Sequence, residues 1–310
     1  MIFENFILEA VLIMGSNITK TLNTEDVIKI PGKEKAVEFI YEEHQEIMNM
    51  KVEGTFDASV SIGNLGNTRY ETEGLCFDHS RVVLSEETGS SSYINASYID
   101  GFEHSKAYIT TVTPDSEKTI CKFWTMIWEN QTENIVMLNE PDGNQKGVLY
   151  WNLEERSTRY CGKLNIETLK VHQFHPSFEV TKLLVTHEDG GSLFVNHFLY
   201  KRWQRIDILP PECDFLDLMR MTRLYNQYAV TPESVKGHKS PMVVHCTDGL
   251  ERSMVFCAID ISISQILETG KVNLPFIVSK LRKERFNCLY DANHYCFCYS
   301  VFYYYFTFLM

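Results

Sequence analysis

Hydrophobic and polar positions along the 310-residue chain change from a helical to a strand-like pattern and back again. After Pro31, the apolar residues Val37, Ile40, Ile47 and Met48 recur at helical spacing and predict a helix with one buried face. The middle of the chain contains strand-like runs rich in β-branched and aromatic residues. A strand-rich centre flanked by helices is typical of an α/β or α+β protein with a twisted mixed sheet.

The predicted elements fill much of the chain after residue 30. Strand-like runs occupy residues 146–151, 165–174, 181–188 and 192–203. Helical patterns occupy residues 214–228, 253–268, 274–286 and 292–306. Because no internal repeat, low-complexity tract or Pro/Ser-rich linker interrupts them, we expect one domain over residues 31–310, preceded by an N-terminal extension, residues 1–30.

The N-terminal extension is apolar but does not match a targeting segment. Glu4 and Glu9 interrupt it, and it lacks a basic region and a small-residue cleavage site. We therefore interpret it as neither a signal peptide nor a membrane span. The stretch "MGSNIT" from Met14 to Thr19 fits the myristoylation pattern if translation starts at Met14, and a lipid anchor is expected only with that start.

Composition and charge exclude several classes of partner. The chain is 44% hydrophobic and 23% charged, as in an ordinary globular protein, and its net charge of −12 argues against nucleic acid or an anionic membrane as the main partner. The nine cysteines show no CxxC spacing, so we expect free thiols in a reducing compartment, the cytoplasm, and no metal or other cofactor. A bound anion must be attracted by a local basic patch.

The stretch "PMVVHCTDGLERSM", residues 241–254, predicts such an anion site. "MVVH" has the pattern of a buried strand, Cys246 to Glu251 form a loop that contains glycine, and a helix begins at Arg252. In this arrangement, backbone N–H groups and the helix dipole converge on one point. The ordinary alternative is a buried cysteine in a strand-to-helix turn beside a surface arginine.

Each side chain of this loop suits a role in cysteine-based phosphate chemistry. Cys246 would be the nucleophile, which reacts as a thiolate, and Arg252 would hold two phosphate oxygens in a fork that lysine cannot make. Ser253 can hydrogen-bond the sulfur, and Gly249 permits the tight turn that makes the N–H groups converge. His245 is expected to orient the loop and to favour the charged sulfur.

The loop "VVHCTDGLERS" resembles the HCxxGxxR(S/T) loop of the classical protein tyrosine phosphatases. The resemblance extends over roughly residues 35–305 and rests further on "DHSRVVL" at 78, "SYINASYIDGF" at 92, "FWTMIWE" at 123 and "NIVML" at 134, in the family's order. It implies a single α/β domain with a central twisted mixed sheet, and phosphotyrosine-containing proteins as partners. It also implies that the bound phosphate is contacted by the loop residues His245, Thr247, Asp248, Gly249, Leu250 and Glu251.

The compact form of the chain is similar to the phosphatase-like proteins that polydnaviruses encode. That narrower resemblance implies expression in an infected insect cell, a location in the host cytoplasm and interference with host immune signalling.

The chain departs from the family where the general acid is expected. The family carries this aspartate in a Trp-Pro-Asp loop, and the matching stretch "RWQRID" keeps Trp203 but has Gln204 and Arg205 in the next two places. Arginine cannot donate a proton at neutral pH. Asp207 is the candidate for a displaced acid, although two residues of extended chain move a side chain by roughly 6–7 Å.

Further departures affect water positioning and phosphate binding. Tyr290 and His294 stand where the family has the glutamines that place water for the second step. Asp248 and Glu251 are expected to raise the pKa of Cys246 and to repel a phosphate dianion. We expect these two loop side chains to point outward, since the backbone N–H groups must point inward.

Three functions therefore stay open from the sequence. Tyr70, in "NTRYE", is the candidate that would stack on the phosphotyrosine ring or, alternatively, only pack on the core. The favoured hypothesis is a phosphotyrosine-binding protein with impaired catalysis. The alternatives are an active phosphatase that uses Asp207, and an interaction scaffold with a vestigial pocket. The sequence does not indicate an oligomeric state.

Overall fold

The computed structural model describes most of the chain after residue 32. The described residues are 22–23, 33–61, 75–85, 92–139, 149–205, 207–228 and 240–309.

The strands of the described residues form one large mixed sheet and one small sheet. The large sheet contains β2 Arg81–Val83, β3 Tyr93–Ile99, β4 Tyr108–Val112, β5 Asn134–Met137, β6 Thr158–Cys161, β7 Leu164–His175, β8 Phe178–His187, β9 Ser192–Tyr200 and β10 Met242–Cys246. Its strand order is β2-β3-β4-β10-β5-β9-β8-β7-β6. The four strands β4, β10, β5 and β9 are parallel, whereas the outer strands pair antiparallel. β1 Leu22–Asn23 pairs antiparallel with β11 Lys271–Val272.

Helices cover both faces of this sheet. They are α1 Lys33–Asn49, α2 Asp57–Val60, α3 Glu117–Glu129, α4 Glu212–Tyr228, α5 Arg252–Thr269, α6 Leu274–Glu284 and α7 Ala292–Phe308. α1 and α4 to α7 contribute to one hydrophobic core and α3 to a second. Because successive side chains of a strand point to opposite faces, Val244 and Cys246 of β10 belong to the first core and Val243 to the second. The predicted α/β class with a central mixed sheet flanked by helices is confirmed.

β10 lies in the middle of the sheet, where a strand that leads into a binding loop is well supported. It pairs parallel with β4 on one side and with β5 on the other, and His245 lies opposite both Thr111 and Met137. The N–H of Thr113 continues the ladder to the carbonyl of Cys246, at 2.9 Å. Parallel strands need helices on both faces, so the apolar run "MVVH" is buried on each side.

Most predicted elements agree with the structure, but one predicted strand is wrong and several observed elements, α2, α3 and β2 to β6 among them, were not predicted. The strand predicted for residues 146–151 is wrong over 149–151, which form no strand; its earlier residues lie outside the described part. α3 is missing from the predicted elements, although Ser116 caps it in a capping box with Thr119 and it buries Ile120, Phe123, Trp124 and Ile127 at helical spacing. The boundary predicted between residues 30 and 31 also lies outside the described residues and stays a prediction.

Among the helices of the described residues, none combines the length and apolar content that a membrane span requires. Met14 and its proposed myristoylation pattern lie outside the described part of the chain.

Candidate active site

A sharp turn joins β10 to α5 and forms the loop of Cys246 to Arg252, which we call the cysteine loop. Gly249 has a φ of +67°, a left-handed conformation that side-chain-bearing residues adopt only with strain. A Cβ at this position would lie 2.6 Å from the backbone carbon of Thr111 and 2.9 Å from the backbone nitrogen of Val112. The turn therefore requires glycine, and it presses the cysteine loop against the end of β4.

The segment after α6 holds the cysteine loop from behind, mainly through main-chain carbonyl groups. The N–H of Leu289 donates to the carbonyl of Leu250 at 3.1 Å, and Arg285 Nε donates to the carbonyl of Gly249 at 3.3 Å. The Arg285 guanidinium is fully buried and also donates to Cys76 Sγ, Ser97 Oγ and Asn95 Oδ1. Carbonyls that are held from behind leave the N–H groups of the turn free to face the opposite side.

Asp248 turns into the cysteine loop and occupies its donors. Its Oδ1 accepts the N–H of Leu250 at 2.9 Å and the N–H of Glu251 at 3.3 Å, as in an Asx turn, and Cys246 Sγ lies 3.2 Å from the same oxygen. The expectation that this side chain points outward is therefore wrong. A negative oxygen already sits on two of the amides that an incoming phosphate needs.

Cys246 is a protonated thiol at neutral pH in this arrangement. The side chain is almost fully buried, and burial together with the Asp248 carboxylate raises its pKa to about 11. Ser253 Oγ, 3.5 Å from the sulfur, and Arg252 act in the opposite direction but do not compensate. The expected increase in pKa is thus present, with burial as its larger cause and Asp248 as the second, whereas Glu251, which was also expected to raise it, is not among the causes.

Alkylation of Cys246 by iodoacetamide should consequently be slow near pH 7 and should accelerate roughly tenfold per pH unit between pH 6 and 9, because only the thiolate reacts. Peptide mass spectrometry at each pH gives the rate, with Cys246→Ser as the blank for the assigned peptide. A rate that levels off below pH 8 would show that the sulfur carries a low-pKa thiolate instead.

Arg252 and Trp203 form the buried wall of the site. The Arg252 guanidinium carbon lies 5.8 Å from the centre of the Trp203 ring, and Arg252 Nη1 donates weakly to the carbonyl of Leu138 at 3.4 Å. The Nε–H of Arg252 and the ring N–H of Trp203 are buried and have no hydrogen-bond partner among the described residues. Two buried donors are therefore available to an oxygen-rich ligand.

Glu251 points away from solvent and is hydrogen-bonded to His294, with both side chains fully buried. Nδ1–H of His294 donates to Glu251 Oε2 at 2.7 Å, and the backbone N–H of Tyr290 donates to Glu251 Oε1 at 2.7 Å. Burial raises the pKa of Glu251, and the hydrogen bond from His294 opposes that effect. The expectation of an outward carboxylate is wrong here as well, since this carboxylate ties the cysteine loop to the start of α7.

His294 and Tyr290 therefore contribute differently to the site. The His294 ring is fully buried, lies edge-on to Trp203 at 5.5 Å, and leaves Nε2 without a partner among the described residues. The Tyr290 side chain is 42% exposed and lies beside the cysteine loop through its backbone contact with Glu251. Only Tyr290 of these two residues has a side chain that a ligand can reach from solvent.

His245 faces the other side of the sheet from the sulfur. Its Nδ1 lies 2.9 Å from Thr113 Oγ1 and its Nε2 lies 2.7 Å from the Tyr150 hydroxyl, which also contacts His197. Burial lowers the pKa of His245 to about 3, so the ring is neutral at pH 7. The expectation that His245 favours a charged sulfur is wrong; its hydrogen bonds instead fix the end of β10.

Arg205 and Asp207 pair with each other at the surface. Arg205 Nε lies 2.9 Å from Asp207 Oδ1, and its Nη2 lies 2.7 Å from Oδ2, in a bidentate fork with both side chains more than half exposed. The hydrogen bond from Arg205 lowers the pKa of Asp207. A carboxyl group held in its ionised form cannot serve as a general acid until this pair opens.

The structure thus groups most of the predicted site residues and separates a few. Cys246, Asp248, Gly249, Leu250, Glu251, Arg252, Ser253, Trp203, Tyr290 and His294 lie in or against the cysteine loop, with Thr247 exposed at its edge. His245 and the Arg205–Asp207 pair point elsewhere, and Tyr70 lies outside the described residues. Sequence reasoning missed Arg285, and no local motif marks it, because all but one of its hydrogen bonds reach residues about 190 to 210 positions away.

Family comparisons agree with this fold and loop. Residues 64–304 match the family model described as protein-tyrosine phosphatase, which is well over half of the chain. The chain therefore belongs to the protein tyrosine phosphatase family. Members of this family act on phosphotyrosine proteins, and the family resemblance expected from the cysteine loop is confirmed.

Individual relatives include both viral and animal proteins. The chain is 34% identical over 291 residues to tyrosine phosphatase-like protein J1 of Microplitis demolitor bracovirus, covering 92% of this chain and 96% of that protein. It is 31% identical over 288 residues to tyrosine phosphatase H2 of the same virus, covering 91% and 88%. The human tyrosine-protein phosphatase non-receptor type 9 is 33% identical over 269 residues, covering 84% of this chain and 45% of that protein. The predicted compact, polydnavirus-related type is confirmed.

Proposed function

We propose that this protein binds phosphotyrosine-containing proteins at the cysteine loop and hydrolyses them slowly or not at all. The observation that carries the proposal is the buried Arg252 guanidinium, whose Nε–H has no hydrogen-bond partner among the described residues. A buried donor without an acceptor costs free energy until a ligand supplies one. A phosphate group is the ligand whose paired oxygens match a guanidinium fork.

Two features limit turnover. Arg205 stands in the place of the general acid and holds Asp207 as a carboxylate. General acid catalysis is typically worth ~10²–10⁴ in rate, so its loss adds about 3–5 kcal/mol to the barrier. Cys246 is protonated as well, which removes the nucleophile from most molecules at neutral pH.

A protein that binds a phosphotyrosine ester but hydrolyses it slowly acts as a trap for that ester. Loss of the acid raises the barrier without removing contacts to the bound ground state, so the ester would remain in the pocket. Such a protein shields phosphotyrosines from other enzymes and from their binding partners. Similarity to bracovirus proteins supports the cytoplasm of an infected host cell as the place where this occurs, and host phosphotyrosine signalling, including immune signalling, as the process affected.

A second candidate function is an interaction scaffold whose pocket no longer binds phosphate. The specific observation in its favour is the Asp248 carboxylate on the N–H groups of Leu250 and Glu251. A phosphate dianion must displace this carboxylate and overcome its charge before it can bind. If the free energy needed to displace the carboxylate exceeds the free energy gained from the phosphate contacts, the protein acts through its outer surface alone.

Two assays on the purified protein distinguish these functions. A labelled phosphotyrosine peptide is titrated by fluorescence anisotropy, and hydrolysis of an aryl phosphate is followed from pH 5 to 8. We expect saturable binding without measurable turnover. Arg252→Lys should weaken binding roughly tenfold, because an ammonium group cannot form the fork.

The controls separate a weak enzyme from a contaminant and from a scaffold. Turnover that disappears in Cys246→Ser would establish an active phosphatase and direct attention to Asp207. Arg205→Asp should then raise the rate by supplying an acid, whereas a rise in Arg205→Asn as well would show that Asp207, released from its pair, is the acid. If wild type and Arg252→Lys both fail to bind the peptide, the pocket is vestigial and the scaffold function stands.

A further inference from the structure

A second site of thiol chemistry lies far along the sheet from β10, where α3 packs against β6. Glu117 and Cys121 are one turn apart on the same face of α3, and Arg159 and Cys161 are two residues apart on the same face of β6. One helical turn of four residues rises about 6 Å. Two residues of strand rise about 6.5 Å. The two pairs can therefore face each other in register.

Glu117 of α3 and Arg159 of β6, which face each other across the two elements, are in contact. Arg159 Nη2 lies 2.6 Å from both carboxylate oxygens of Glu117, so the strand is fastened to the first turn of the helix. Cα atoms of α3 and β6 approach within 8 Å of each other. Glu117 and Arg159 are in contact, and the spacing from Glu117 to Cys121 matches that from Arg159 to Cys161. The geometry of α3 and β6 therefore brings the side chains of Cys121 and Cys161 together.

The two cysteines share a cavity as well as a register. Both line a surface cavity of about 590 Å³, together with Lys118, Lys163 and His187. Cys121 is partly exposed and Cys161 is buried, and both are free thiols. The Cys161 thiol interacts with the Cys121 thiol and with Arg159, while burial raises its pKa to about 12. The partly exposed sulfur is thus the one that a small oxidant reaches first.

We propose that Cys121 and Cys161 form a dithiol that closes to a disulfide when the protein meets a hydroperoxide. The Cys121 thiol loses its proton and the thiolate attacks one peroxide oxygen; the O–O bond breaks, a sulfenic acid forms, and the departing hydroxide takes up that proton to give one water. Cys161 Sγ then attacks Cys121 Sγ, its proton leaves with the sulfenic oxygen as a second water, and the S–S bond forms. The two sulfurs lose two electrons and two hydrogens in total, and one hydrogen peroxide becomes two waters.

The cavity supports this order of events. Cys121 is the partly exposed thiol and lines the cavity, so a small oxidant in the cavity meets its sulfur before that of buried Cys161. Cys161 is a poor first nucleophile because it is buried with a raised pKa, but it is placed to resolve a sulfenic acid on its neighbour. The disulfide would fasten the β6–β7 hairpin to α3 covalently, beside the Glu117–Arg159 ion pair.

The test uses the full chain in a Cys246→Ser background, which removes the thiol of the cysteine loop. The protein is treated with hydrogen peroxide at pH 7.4, quenched with an alkylating reagent, and mapped by peptide mass spectrometry with and without dithiothreitol. We expect one reducible cross-link between the peptides that contain Cys121 and Cys161. The melting temperature of the oxidised form should rise by roughly 5 °C, because the cross-link restricts the unfolded chain.

Two single variants separate the roles of the sulfurs. Cys161→Ser should leave Cys121 as a sulfenic acid that dimedone labels, whereas Cys121→Ser should leave Cys161 unmodified. If dimedone labels Cys121 and no cross-link forms in the Cys246→Ser chain that keeps both Cys121 and Cys161, the proposal is overturned, as it is if peroxide does not modify Cys121. A cross-link between any other pair of cysteines would also overturn it.

Discussion

Replacing Asp248 with alanine should tighten the binding of vanadate or phosphate by roughly 100-fold at pH 7, equivalent to about 2.7 kcal/mol. The substitution frees the N–H groups of Leu250 and Glu251 and removes a negative charge that lies 3.2 Å from Cys246 Sγ. A unit charge at about 4 Å contributes up to about 4 kcal/mol at an effective dielectric of ~20, so the expected gain is within the available range. Isothermal titration with vanadate measures it directly.

Asp248→Asn is the matched control for this experiment. An asparagine oxygen can accept the same two N–H groups, so this variant keeps the turn but loses the charge. Affinity should rise in the order wild type, Asp248→Asn, Asp248→Ala if charge and occupancy both oppose the anion. Iodoacetamide should also alkylate Cys246 faster in both variants, because one cause of its raised pKa is gone. Unchanged affinity in Asp248→Ala would show that the carboxylate leaves the cysteine loop without cost.

Replacing His294 with alanine should destabilise the fold by about 3–5 kcal/mol at pH 7.5, because it leaves the buried Glu251 carboxylate without its partner. The same substitution in a Glu251→Gln background should cost markedly less, since a neutral amide needs no counter-charge. Urea unfolding of the four proteins gives the coupling free energy of the pair. Equal losses in both backgrounds would mean that His294 stabilises the fold through packing on Trp203 alone.

The loss in His294→Ala should also depend on pH. Burial raises the pKa of Glu251 above its unfolded value, and without His294 the opposing hydrogen bond is absent. A carboxyl group with a raised folded-state pKa is stabilising while protonated, and that contribution is lost as pH rises through the folded-state pKa. The variant should therefore lie closer to wild type at pH 5 than at pH 7.5.

The sequence predicted the position of the cysteine loop well because the loop is defined by local requirements. A buried strand, a glycine at positive φ and a helix that begins at Arg252 are each encoded within a few residues. The five helical patterns predicted along the chain also fall on helices, since apolar residues at helical spacing reflect the faces that those helices bury.

The directions of the side chains in the site were less predictable, for a physical reason. Spacing along the chain places Asp248 and Glu251 in the loop, but the orientation of Glu251 depends on a partner far away in sequence, His294. An acidic residue in an anion loop is expected to avoid its centre. The structure instead pairs Asp248 with the loop amides in a local Asx turn, which the expectation of an outward carboxylate overlooked, and pairs Glu251 with a buried imidazole that only long-range packing brings near.

Because Arg285 and Leu289 hold the cysteine loop through its main chain, the side chains of the loop can change during evolution without loss of this support. These residues donate hydrogen bonds to the main-chain carbonyl oxygens of Gly249 and Leu250, and every amino acid has such an oxygen. Point mutations at neighbouring positions can therefore exchange the chemistry displayed by the turn while its shape is inherited intact. A single codon change at Asp248 would thus alter how the turn receives an anion and leave the path of its main chain as it is.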